Sequence, residues 1–311
     1  MQYSLLVQER LDEWGQACSA LAPLLTNEKS DKTNEELRLM YEETLSKHPA
    51  PGGVSYTNVD MGGVKAVLAT PDNVKDDQTL LYIHGGGYVV GSPRSYYGLA
   101  GNYAILLGAR VYIPDYRLAP EHPFPTPIDD TFNAYRWLLE QGIDSKSIVF
   151  SGDSAGGAMV ISVMVRAKNA GLPLPAGGVA ISPWCNLEHT GASMYNREGL
   201  DPQATREALV MLAKTFLNGA LPNDPDASPI FADVRGLPPI MVQIGENELM
   251  LSDAIRLSEH LANNRVRVSL EVWPGMFHAW HMFSAVLPEG MQALENASTF
   301  LEQALIIAKE T

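Results

Sequence analysis

The sequence predicts an α/β protein, with a mostly parallel central sheet covered by helices on both faces. Three observations carry this. Short apolar runs that read as buried strands alternate with longer stretches that read as helices, the pattern of a parallel sheet. Two of those runs end in glycine-rich turns, at 84–87 and 152–157. One interval between strands, from Pro183 to Pro238, is too long for a simple crossover and reads as an insertion. At 311 residues the chain is long enough for one large domain of this kind with insertions.

Residues 4–47 read as helices. Leu5, Leu6, Leu11, Trp14, Leu21, Leu24 and Leu25 recur at mixed helical spacings, and a second helix opens at Asn34 with Thr33 as N-cap and Glu36 three residues on. Pro49, Pro51, Gly52 and Gly53 end it. Residues 54–59 and 64–69 are short strands around Met61-Gly62-Gly63 and read as a hairpin. Strands follow at 80–83 and 110–114, then a helix at 128–141 with Phe132, Tyr135, Leu138 and Leu139 on one face. Residues 147–151 are a buried strand and 157–164 a buried helix. Further strands lie at 178–182, 239–244 and 266–272, and a helix at 291–309 closes the chain. Inside the long interval, 202–217 reads as a helix with Ala208, Leu209, Leu212, Ala213 and Phe216 apolar. Such an insertion would sit over the carboxyl ends of the strands, where open α/β sheets bind ligands.

Gly152-Asp153-Ser154-Ala155-Gly156 joins one strand to the helix after it, with a serine at the apex of the turn. That is the context a G-x-S-x-G nucleophile elbow requires, and side chains at 152 and 156 would crowd so sharp a turn. His84-Gly85-Gly86-Gly87 follows the strand at 80–83. Consecutive glycines leave backbone N–H groups uncovered, free to point at a developing oxyanion. A phosphate-binding loop is excluded by spacing, because neither G-x-G-x-x-G nor G-x-x-x-x-G-K-[ST] occurs.

With these motifs the chain resembles the hormone-sensitive-lipase-like family of α/β-hydrolase esterases, from about Thr79 to about Trp280. The specific parts are His84-Gly85-Gly86-Gly87-Tyr88, Asp115-Tyr116-Arg117-Leu118-Ala119-Pro120-Glu121, Gly152-Asp153-Ser154-Ala155-Gly156-Gly157 and Pro274-Gly275-Met276-Phe277-His278. The resemblance implies an α/β-hydrolase fold in which residues 1–50 form the N-terminal helical part of a cap. Residues 51–311 would form the catalytic domain, with a cap insertion at about 186–222. It implies a serine carboxylesterase that cleaves short- to medium-chain carboxylic esters through an acyl-enzyme, needing no cofactor. A lactone, amide or thioester as substrate stays open, since fold and triad do not fix the leaving group. A receptor on the same scaffold is disfavoured because Ser154, a histidine and a carboxylate are all present.

A serine needs a base, and the base an orienting acid. The order in this fold is Ser, then Asp or Glu, then His. Ser154 is the nucleophile; His278 and His281 are candidates for the base, and the family pattern favours His278. The segment after the penultimate strand lacks the family's usual Asp, and a variant pattern with Glu makes Glu248 the acid, with Asp253 and Glu246 as alternatives. The oxyanion hole would combine the N–H of Ala155 with those of Gly86 and Gly87. His84 is expected to fix the glycine loop, Asp153 to brace a neighbouring loop, and Arg117 to pair with Glu121. Tyr88, Tyr96, Tyr97, Trp184, Met194 and Phe277 are candidates for an apolar pocket.

The 36 acidic against 22 basic residues argue against nucleic acid and anionic membrane as partners and fit a small neutral or cationic substrate. Cys18 and Cys185 share no metal spacing and read as reduced thiols, and no metal cluster is apparent. The N-terminus lacks a basic region with a long apolar core, and no apolar run approaches a membrane span, so a cytoplasmic enzyme is the expectation. The last strand reads as a sheet edge, compatible with a homodimer paired across a two-fold.

Overall fold

In the computed structural model, which describes residues 3–21, 23, 31–75 and 77–310, eight strands form one sheet. They are β1 (Val54–Asp60), β2 (Lys65–Pro71), β3 (Thr79–Ile83), β4 (Arg110–Pro114), β5 (Ile148–Asp153), β6 (Gly177–Ile181), β7 (Ile240–Gly245) and β8 (Val268–Trp273). Their order across the sheet is β1-β2-β4-β3-β5-β6-β7-β8. The hairpin β1–β2 and its junction with β4 are antiparallel, and every pairing from β4 to β8 is parallel. β3, β5, β6 and β7 are buried along their whole length, as strands covered on both faces must be. β1 and β8 form the two edges and are partly exposed.

Eight helices are used below: α1 (Leu5–Ala20), α2 (Asn34–Leu45), α3 (Tyr97–Leu107), α4 (Thr126–Glu140), α5 (Ala155–Asn169), α6 (Arg206–Leu217), α7 (Leu251–Asn263) and α8 (Pro288–Glu310). Alternate strand residues feed two apolar layers. Leu81, Ile83, Phe150 and Val242 meet Ile128, Leu138, Val160 and Leu257 of α4, α5 and α7. Leu80, Tyr82, Val149 and Val179 meet Leu99, Tyr103, Leu294 and Leu301 of α3 and α8, with α1 and α2 in the same layer. Among the described residues no helix is long and apolar enough to cross a membrane. Cys18 and Cys185 are both free.

The Thr33–Glu36 capping box predicted for α2 is present in both directions. Leu24 and Leu25, part of the predicted N-terminal helical pattern, lie outside the described residues. Three departures from the sequence reading have a clear physical cause. Helix α3 had no counterpart in it, because this segment is apolar nearly all round and carries no polar stripe to reveal a period. Helix α6 begins at Arg206, later than the expected 202, because Thr205 is its N-cap and accepts the Ala208 N–H at 3.2 Å.

The third is the expected Arg117–Glu121 pair, which does not form. The Arg117 guanidinium instead forks onto Asp130 of α4, at 2.9 and 2.7 Å. Glu121 takes Arg38 and Asn34 of α2, at 2.6 and 2.8 Å. Each side chain meets a helix packed against its own side of the loop, and a charge partner on such a helix is invisible to sequence spacing. Arg38 also donates to the carbonyls of Val89 and Ala119, both at 2.8 Å, tying α2 to the glycine loop.

The closest backbone approach in the core is at Gly156, in the first turn of α5. A Cβ there would lie 1.9 Å from the Ile83 carbonyl oxygen and 2.7 Å from that of His84. Gly156→Ala is therefore expected to cost about 3 kcal/mol of stability, at the upper end for overpacking. Urea unfolding of wild type and variant checks this, and a matching midpoint would mean that β3 and α5 separate freely.

Candidate active site

Ser154 sits at the carboxyl end of β5, one residue before α5, with φ 55° and ψ −119°. A non-glycine residue in this region stores about 1–3 kcal/mol and persists only where its surroundings fix it. Its N–H donates to Ile181 O at 2.9 Å, and its carbonyl accepts from Trp184 N at 3.0 Å and Ala158 N at 3.1 Å. The hydroxyl is thereby carried at the top of the turn beside the start of α5, where the Ala155 N–H opens the helix.

The glycine loop faces it. Gly86 and Gly87 have φ of 105° and 60°, and a Cβ on Gly86 would fall 2.1 Å from Val90 O, so the turn admits no side chain there. Among the described residues no acceptor pairs with the N–H of Gly86 or Gly87. Asp153 braces this loop, as expected. It accepts from the Gly85 N–H at 3.0 Å, the Tyr82 hydroxyl at 2.7 Å and the Tyr96 hydroxyl at 3.1 Å. Burial raises its pKa, opposed by these donors and by His278. His84 is enclosed, stacked on Tyr116 at 4.1 Å, with Nδ1 at 2.8 Å from Gly85 O. Burial holds its pKa down at about 4, so it is a neutral anchor of the loop.

His278 follows β8 on the Pro274–His278 turn. Its Nδ1 lies 2.8 Å from Glu248 Oε2. The other oxygen of Glu248 accepts from Ser182 Oγ at 2.7 Å and Gly245 N at 2.6 Å. An ionised carboxylate is acceptor-only, so Nδ1 is assigned as the donor and Nε2 is left to accept. Burial alone would lower the pKa of His278; the Glu248 hydrogen bond and charge, with the charges of Asp201 and Asp153, outweigh it, and the net direction is up. Ser154 and His278 line one cavity with Gly86 and Gly87, and no hydrogen bond joins the two side chains among the described residues. In ligand-free sites such bonds commonly form only when the reactant is bound.

The alternatives lie elsewhere. His281 is enclosed and bonds Gln243 Oε1 at 2.9 Å, its pKa pushed down to about 3 by burial and then by the His278 charge. Asp253 binds Asn186 and Arg256, both at 3.0 Å. Glu246 accepts the Gly275 N–H at 3.0 Å and props the His278 turn. Three contributors escaped sequence reading. Ser182, at φ 44°, bonds both Glu248 and the Ala279 N–H. Asp201 accepts the His278 N–H at 3.0 Å. The Tyr3 hydroxyl donates to Gly275 O at 2.6 Å. Only Ser182, at the end of a legible strand, had any local signal.

The cavity measures about 140 Å³. Trp14 and Cys18 of α1, Leu21, and Tyr41 of α2 contribute to its lining, as do Ala208, Leu209 and Leu212 of α6. Of the six predicted pocket residues, Tyr96 and Trp184 reach it. Tyr88 instead stacks on Phe216 at 3.7 Å, Tyr97 on Tyr56 at 4.2 Å, and Phe277 meets Phe283 edge-on at 5.1 Å. Met194 is enclosed in the core. Among the described residues no group of three or more His, Cys, Asp or Glu is arranged to hold a metal ion.

Residues 80–282 match a family model described as the alpha/beta hydrolase fold. An acetyl-hydrolase of Streptomyces hygroscopicus is 41% identical over 230 residues, 74% of this chain and 77% of that protein. An esterase from the bacterial hormone-sensitive lipase family superposes with a TM-score of 0.89 at 39% identity, covering 98% of this chain and 100% of the other. EstE5, in a crystal soaked with p-nitrophenyl butyrate, superposes at 0.83 with 34% identity, covering 94% of this chain and 99% of that one.

The Glu248–His278 geometry makes a direct spectroscopic prediction. An imidazole NMR titration should give His278 a pKa above the ordinary ~6.5, falling in Glu248→Gln. An unchanged value in the variant would dissolve the assigned pair.

Proposed function

The chain belongs to the hormone-sensitive-lipase-like family of α/β-hydrolase esterases, and we propose that it cleaves short- to medium-chain carboxylic esters through an acyl-enzyme on Ser154. The observation that carries the reading is the 2.8 Å contact of Glu248 with His278, beside a cavity that Ser154 also lines.

In this mechanism His278 Nε2 takes the Ser154 proton as Oγ attacks the acyl carbon. Glu248 holds the resulting imidazolium in its tautomer and orientation. The negative charge that develops on the carbonyl oxygen is met by the N–H groups of Gly86, Gly87 and Ala155. Preorganised donors of this kind, in a site shielded from water, supply much of the rate enhancement. The imidazolium then protonates the departing alcohol. In the second half His278 deprotonates the water that attacks the acyl-serine, and the imidazolium returns that proton to Ser154 Oγ as the acid is released.

Residues 1–50 and about 186–222 are read as the two parts of a cap, since both contribute apolar side chains to the cavity. The preference for short acyl groups rests on size. An apolar cavity of ~150 Å³ holds a benzene molecule, so a space of about 140 Å³ favours an acyl group of that bulk. The acetyl-hydrolase relative and the butyrate ester soaked into EstE5 support the same range. We propose further that two copies would pair through the edge of β8.

A panel of p-nitrophenyl esters from acetate to laurate, with Ser154→Ala as control, tests the assignment. The expected result is highest kcat/KM at the short end and loss of turnover in Ser154→Ala. Glu248→Gln should lower kcat by about 10⁴-fold, as loss of the orienting carboxylate does in serine hydrolases. Because His278 must be neutral to act and its pKa is raised, kcat/KM should fall as pH drops through a value above ~6.5. Turnover that survives in Ser154→Ala would remove the serine from the mechanism.

A further inference from the structure

We infer that Asp201 is a positioning residue for His278, fastening a segment that lines the cavity to the backbone of the proposed base. The inference rests on the reading of His278 given above and adds to it a carboxylate from outside the triad.

Asp201 lies on the stretch before α6 and is only 5% exposed. Both of its oxygens are committed to backbone donors: Oδ2 accepts the His278 N–H at 3.0 Å and Oδ1 the Gln203 N–H at 2.9 Å. Gln203 and Ala204, the next residues along, line the cavity with Ser154 and His278. One carboxylate thus joins the cavity lining to the base.

The turn that carries His278 is closed by the Met276 N–H on Trp273 O at 3.3 Å, and Met276 O accepts the Asn247 N–H at 3.0 Å. Tyr3 Oη and Asn247 Nδ2 hold Gly275 O at 2.6 and 3.2 Å, Glu246 holds the Gly275 N–H at 3.0 Å, and Ser182 holds the Ala279 N–H at 3.1 Å. These fix the residues on either side of His278. Asp201 is the acceptor on the His278 amide itself, and so fixes the backbone from which the ring reaches Glu248.

The charged groups facing this contact are few. Asp201 is exposed to the fields of His278 and Glu248, with the Tyr3 hydroxyl nearby. His278 feels Glu248, Asp201 and Asp153, and His281 feels His278 in turn. Burial, and then Glu248, push Asp201 up to about 7, opposed by His278 and the two backbone donors. When ionised it favours the imidazolium, so removing its carboxylate lowers the His278 pKa. The acid limb of activity should then move to lower pH.

The test compares Asp201→Asn and Asp201→Ala with wild type for kcat, KM, the pH profile of kcat/KM, and the NMR titration of His278. Asp201→Ala should lower kcat by about 10–100-fold, the scale of a misplaced catalytic group, with a smaller change in KM. Asp201→Asn, which retains one acceptor oxygen, should lose less. Both should show an acid limb and a His278 titration moved to lower pH. A role confined to stability would lower the melting temperature and leave the limb, the titration and kcat per folded molecule unchanged; that result overturns the inference. If Asp201→Ala does not fold, Asp201→Asn decides: an unmoved His278 titration sinks the proposal. The NMR readout needs no turnover, so failure of the esterase reading, seen as an inactive wild type or an active Ser154→Ala, is told apart from failure of this one.

Discussion

The buried carboxylate of Glu248 is the constraint on which the rest of the site depends. A fully buried charge is tolerated only when donors occupy its oxygens. Those donors come from Ser182 just after β6, Gly245 at the end of β7, and His278 on the turn after β8. β6, β7 and β8 are neighbours in the sheet, so one side chain laces together the carboxyl ends of three adjacent strands. Asp153 does the corresponding work nearby, gathering Tyr82 of β3, the Gly85 amide and Tyr96 around the end of β5. Ser154 follows Asp153 directly, and its strained backbone is held by Ile181 O, Trp184 N and Ala158 N.

What was legible in the sequence follows from how local each feature is. The Ser154 turn and the glycine loop announce themselves because their backbone geometry demands glycine at set positions, and that demand is written in consecutive residues. The buried strands are legible because covering on both faces makes them uninterrupted apolar runs. Glu248 was reached through the order of elements and a family pattern, and the geometry around His278 favours it over Glu246 and Asp253 because those two have other partners.

The features missed are those whose meaning lies in a distant partner. Asp201 and His278 are 77 residues apart and Ser182 and Glu248 are 66 apart. Nothing near Asp201 distinguishes it from the surface carboxylates of an acidic chain. Arg117 and Glu121 read as an ion pair holding the proline-rich loop, yet their partners are Asp130 of α4 and Arg38 and Asn34 of α2. Helix α3 was overlooked for the opposite reason: it is so well covered that no polar face remained to give its period.

Arg38 carries a consequence for how this scaffold tolerates change. Its guanidinium spans α2 to the carbonyls of Val89 and Ala119 and to Glu121, and the Val89 amide in turn closes the turn that begins at Gly86. The amino-terminal helices therefore do more than line the cavity. A chimera that took residues 1–50 from a relative would exchange the wall of the pocket and, with it, the hand that grips the glycine loop from behind. Modular exchange of this segment is limited by a basic residue that does not line the cavity at all.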